Sequence, residues 1–178
     1  PIGSYGNATG LRSQDECSAC TAGYYCDGLG LPHPTGLCDP GYYCISRAFT
    51  SAPPGLPTGG LCPKGGYCPP GSSFPTACAE GSFNNFTGGS TQQDCTACTP
   101  GFYCSGSNLP FPTGPCSAGY YCTGGAALPT QFRTPAGHFS LPGAPAPEEC
   151  PLGTFNPSPA QGSCLPCIAG YYCPPRAM

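Results

Sequence analysis

The chain has 178 residues, of which 28 are Gly, 26 Pro and 17 Cys, while Val and Trp are absent and aliphatic residues are scarce. Such a composition excludes a conventional aliphatic core, and no apolar run is long enough to span a membrane. Five basic and eight acidic residues are scattered along it, which excludes the clustered basic face of a nucleic-acid binder and the polybasic segment of a membrane-docking protein. The cysteine content marks a disulfide scaffold of an oxidising compartment, so the expected location is extracellular or on a cell surface. No leader segment is visible ahead of Pro1, and the chain reads as processed or partial.

Taken in chain order, the sequence repeats itself. Residues 3–26 (GSYGNATGLRSQDECSACTAGYYC) match residues 81–104 (GSFNNFTGGSTQQDCTACTPGFYC) at a distance of 78 residues. A third copy, GTFNPSPAQGSCLPCIAGYYC, spans residues 153–173. These matches predict repeat one over residues 1–77, repeat two over 78–149 and a partial repeat three over 150–178. Repeat one carries an extra pair, Cys62 and Cys68, which repeat two lacks entirely.

Within the repeats lies a smaller unit, Cys-x-x-Gly-(aromatic or Gly)-Tyr-Cys. It occurs at Cys20/Cys26, Cys38/Cys44, Cys62/Cys68, Cys98/Cys104, Cys116/Cys122 and Cys167/Cys173, and holds 10 of the 11 Tyr. Its glycine suits a turn with positive φ. A tyrosine beside a cystine buries its ring and keeps its hydroxyl in water. Each unit is therefore expected to be a small hairpin or turn. The Pro-rich stretches between units are expected to be extended, because proline fixes φ and turns its predecessor away from helix. The predicted fold is small and disulfide-rich, an elongated tandem array of short β-hairpins and turns with almost no helix.

All 17 cysteines are assigned structural roles. Cys78 with Cys95 and Cys150 with Cys164 are expected framework bridges. Cys17 occupies the place of Cys95 and Cys164, and its matching partner would stand just before Pro1, with a free or intermolecular thiol as the competing reading. For the six short units, local closure competes with a crossed pattern such as Cys20 with Cys38 and Cys26 with Cys44. The joint absence of a Cys62/Cys68 pair from repeat two favours local closure. At roughly 2–4 kcal/mol per bridge, the disulfides are expected to replace the missing core.

The pattern Cys-(Pro/Ala)-x-Gly-(Ser/Thr)-Phe followed by Cys-x-x-Cys-x-x-Gly-(Tyr/Phe)-Tyr-Cys, at residues 150–173 and 78–104, resembles the ephrin-receptor-like cysteine-rich repeat. It is similar in outline to the modules of tumour necrosis factor receptors and to EGF-like modules. The resemblance implies a disulfide-rich extracellular module. Such repeats occur in receptor ectodomains and in large surface proteins of algae and protists, including mastigoneme-type filament proteins.

Asn7-Ala8-Thr9 and Asn85-Phe86-Thr87 are N-glycosylation acceptors at equivalent repeat positions. Asn156-Pro157-Ser158 is read as the third copy of that position, blocked by its proline. Thr35, Thr58 and Thr113, in the recurrent Pro-Thr-Gly, are candidate O-glycosylation sites, with plain turn chemistry as the competing reading. Catalysis has little support. His33 and His138 lie in different repeats without a sequence-adjacent acid, and Glu148-Glu149 is the only acidic doublet. Zinc binding by the Cys-x-x-Cys pairs at 17/20, 95/98 and 164/167 yields to disulfide formation in a Cys-dense chain. The expected function is structural and non-enzymatic, without cofactor or metal: a glycosylated, stapled segment of a surface filament, coat or stalk that self-associates. The alternative is a ligand-binding or adhesion ectodomain.

Overall fold

Five of the six Cys-x-x-Gly-x-Tyr-Cys units sit at the same kind of place, the junction between one β-hairpin and the next, and the sixth, Cys167–Cys173, follows the last hairpin. In the computed structural model, which describes residues 1–178, the chain forms nine antiparallel two-stranded hairpins in succession. Helix is confined to two single 3-10 turns, Gln14–Glu16 and Gln92–Asp94. The expected small, disulfide-rich fold of short hairpins with almost no helix is what forms.

The hairpins fall into two compact units. The first comprises Pro1–Cys78 and Asn84–Cys95. Its four hairpins pair Ser4–Tyr5 with Ser18–Ala19, Tyr24–Tyr25 with Gly36–Leu37, Tyr42–Cys44 with Gly59–Leu61, and Gly66–Tyr67 with Thr76–Ala77. The second comprises Ala79–Phe83 and Thr96–Met178. Its five hairpins pair Ser82–Phe83 with Thr96–Ala97, Phe102–Tyr103 with Gly114–Pro115, and Tyr120–Tyr121 with Phe132–Arg133. They continue with His138–Phe139 against Glu148–Glu149 and Thr154–Phe155 against Leu165–Pro166.

Strands of two or three residues are too short to be stable alone, so the junctions carry the fold. At the second hairpin, the Gly23 N–H donates to the Cys44 carbonyl (2.9 Å), and the Cys38 N–H donates back to the Gly23 carbonyl (3.0 Å). Gly41 does the same with Cys68 and Cys62, Gly101 with Cys122 and Cys116, and Gly119 with Ser140 and Thr134. The two partners are the first and seventh residues of the next junction. Each junction is thus a rung, and the glycine of the preceding hairpin is pinned between its ends.

A second tie reaches one hairpin further. The Arg47 N–H donates to the Cys20 carbonyl, and the Cys26 N–H donates to the Ala48 carbonyl. The same ties link Gly71 to Cys38 and Gly143 to Cys116. They bring a carbonyl into the space a side chain would need. A Cβ on Gly101 would lie 2.3 Å from the Gly143 oxygen, and Gly101 itself has φ +85°. The rung glycine is therefore required twice over, by its backbone angle and by its neighbour.

Packing follows the same register. Tyr25 packs against Cys38, Cys44 and Ala48, and Tyr103 against Cys116, Cys122 and Ala126. Phe83 joins Cys98 and Cys104, with Leu109 against them. An aromatic ring from one rung thus covers the cystine of the next, and the buried interior consists largely of half-cystines. Sulfur and aromatic carbon do the work that Leu and Val do elsewhere.

Candidate functional site

The six short units all close locally, as Cys20–Cys26, Cys38–Cys44, Cys62–Cys68, Cys98–Cys104, Cys116–Cys122 and Cys167–Cys173. The crossed alternative is not formed. Cys78–Cys95 and Cys150–Cys164 make the two framework bridges. Cys17 is a free, half-buried thiol.

Three further rungs escaped the cysteine pattern. Two begin with Cys78 and Cys150 and end with Asn84 and Asn156 in place of a second cysteine. Both asparagines are buried. The Asn84 Nδ2 donates to the Gly66 carbonyl (2.8 Å), while its Oδ1 accepts from the Phe86 N–H (3.1 Å). The Asn156 Nδ2 donates to the His138 carbonyl (2.8 Å). The third rung has no cysteine at all. Thr134 and Ser140 take the two ends, both at 0% exposure, and the Thr134 hydroxyl donates to the Ser140 Oγ at 2.7 Å. This rung is the counterpart of Cys62–Cys68, since it follows Cys116–Cys122 as Cys62–Cys68 follows the matching Cys38–Cys44. The pair in repeat one therefore has a hydroxyl equivalent in repeat two.

Asn7 and Asn85 are both exposed, in the loops that leave the first strands of the first and fifth hairpins. The third-copy assignment is corrected. Asn156 follows Gly153-Thr154-Phe155 as Asn84 follows Gly81-Ser82-Phe83, so it matches buried Asn84 and not exposed Asn85. Burial removes it from glycan chemistry independently of the proline. Thr35 and Thr113 are exposed, but their hydroxyls close loops. Thr35 donates to the Asp27 carboxylate (2.7 Å), and the Thr113 Oγ1 accepts from the Ser105 N–H (2.9 Å). Thr58 is half-buried and its carbonyl accepts from the Ile45 N–H.

The acidic and histidine residues distribute differently from their sequence neighbours. His33 lies in an exposed loop, with Nδ1 3.0 Å from the Pro34 oxygen. His138 stands across the eighth hairpin from Glu149, an acid partner that only strand pairing could reveal. The Glu149 carboxylate is taken by the Arg176 guanidinium in an exposed ion pair. That bond holds the Glu149 carboxyl below its ordinary range, and Glu149 in turn raises Arg176. The Asp94 carboxyl is also lowered, by backbone N–H groups of Thr91 and Ser90 at the start of its 3-10 turn. In the Cys-x-x-Cys pairs at 95/98 and 164/167, each cysteine belongs to a different cystine. No helix is long and apolar enough to cross a membrane. No protein-family model matches the chain, and no curated protein matches it either.

Proposed function

We propose that the chain is a structural segment of an extracellular assembly: a glycosylated, disulfide-stapled part of a surface filament, coat or stalk built from modules of the ephrin-receptor-like kind. The observation that carries this reading is the uniform use of side chains. Junction after junction spends its cysteines, glycine and aromatic residue on the same tie to the next hairpin. A chain whose ties reach only the next hairpin and the one after it behaves like a repeat array, and such arrays serve as spacers and fibres. Eight disulfides suit a secreted location. The exposed acceptors Asn7 and Asn85 would carry glycan that keeps a charge-poor surface soluble. Negative-stain images of native material test the reading. Fibres or long thin particles are expected, and compact monodisperse particles would overturn it.

A further inference from the structure

The longest stretch between bridges is held without covalent help. No cysteine occurs between Cys122 and Cys150, and none of the disulfides bridges the two sides of that gap. At its centre is the Thr134–Ser140 rung, whose ends are joined by one hydrogen bond of 2.7 Å and tied by backbone bonds to Gly119 and to Ala160 and Gln161, with no cystine between the two ends. Immediately before the rung, on the second strand of the seventh hairpin, Arg133 is exposed.

We propose that this rung is a joint that opens while all eight disulfides stay intact, making Arg133–Thr134 a cleavage site for arginine-specific endopeptidases. Local opening exposes backbone in proportion to how weakly a segment is held, and a protease needs several residues of extended chain. In the reaction, water adds to the Arg133 carbonyl carbon and the C–N bond breaks. Arg133 leaves with a carboxylate and Thr134 with a new amino group. Because no bridge spans the gap, only hydrogen bonds and packing hold the products together, and they separate on denaturation without reduction. Residues 1–133 keep six disulfides and residues 134–178 keep two.

The other basic residues serve as internal controls. Lys64 lies inside the Cys62–Cys68 loop, so a cut there leaves the pieces joined. Arg47 is exposed in the third hairpin, and no bridge spans it. Its flanking groups, however, are tied to Cys20 and Cys26, which are cystine-bonded to each other. Arg12 precedes the first cystine and Arg176 follows the last, so a cut at either parts no two of the eight cystines.

The proposal is independent of the filament reading, and limited trypsin digestion of the oxidised full chain tests it by non-reducing mass spectrometry. The expected first internal break is Arg133–Thr134, at least tenfold faster than Arg47–Ala48. The Thr134→Cys/Ser140→Cys variant should slow it at least tenfold, and Ser140→Ala should speed it several-fold. Earlier or equal cutting at Arg47, or an unchanged rate in Ser140→Ala, overturns the proposal. Ser140→Ala decides the matter if the double-cysteine chain fails to fold.

Discussion

Thr134 and Ser140 meet hydroxyl to hydroxyl at 2.7 Å, fully buried, where six other junctions place a cystine. A short cystine loop contributes about 2 kcal/mol by restricting the unfolded chain, against about 1 kcal/mol for a neutral hydrogen bond. The hydroxyl rung keeps the geometry with a weaker fastening. Removing one partner strands the other in a dry site. Ser140→Ala or Thr134→Val should each cost about 1–3 kcal/mol in denaturant unfolding of the oxidised chain. The double variant removes both polar groups and should cost less than the sum of the singles. An additive double variant would show that the two hydroxyls do not act as a pair.

How far the sequence discloses this architecture depends on which residue marks each rung. Six junctions are legible because cysteine stands at both ends. The ones ending in Asn84 and Asn156 hide because their cysteines are bonded downstream, to Cys95 and Cys164. The Thr134 junction hides because it has no cysteine. A glycine at the fourth place and an aromatic at the sixth would have found all three, as Gly81 with Phe83, Gly137 with Phe139, and Gly153 with Phe155. The ties to the hairpin after next were not legible. Arg47, Ala160 and Arg176 adopt φ of 63–65° there without being glycine, a choice made by backbone hydrogen bonds to distant residues. The pairing of His138 with Glu149 was equally out of reach, because it follows from strand register alone.

The two kinds of positive-φ glycine separate experimentally. Gly10 has φ +80° with open space around its absent Cβ, whereas a Cβ on Gly101 would sit 2.3 Å from a backbone oxygen. Gly10→Ala should cost about 1–2 kcal/mol, the left-handed backbone penalty alone. Gly101→Ala must also displace the eighth hairpin and should cost upwards of about 4 kcal/mol. Thermal unfolding of the two oxidised variants provides the comparison. Equal losses would mean that the carbonyl contact is unimportant.

In a folded chain of residues 1–178, Cys17 should be the only thiol that reacts. Sixteen cysteines are paired, and most of those are fully buried, whereas Cys17 is free and half-exposed. Iodoacetamide without reductant should add a single carbamidomethyl group, which peptide mapping places on Cys17. After reduction and denaturation all 17 should be modified. A second adduct on the unreduced protein would mean that one of the bridges is not formed.

Glu149 and Arg176 tie the second strand of the eighth hairpin to the chain beyond Cys173, and the tie is pH-dependent. The folded Glu149 carboxyl is held below its ordinary value, chiefly by the hydrogen bond from Arg176. Such a group binds its proton more readily in the unfolded chain, where it titrates near about 4.3. The contribution is therefore fully present above that pH and lost as pH falls through the lowered folded value. Both side chains are exposed, so the effect on global stability is small and salt-sensitive. The direct measurement is an NMR titration of the Glu149 carboxyl in the oxidised protein. Its midpoint should lie below the ordinary glutamate value and rise in Arg176→Gln. Adding salt should move the native midpoint the same way, since screening weakens the ion pair. A midpoint indifferent to Arg176→Gln would assign the lowering to another neighbour, such as His138 across the strand pair.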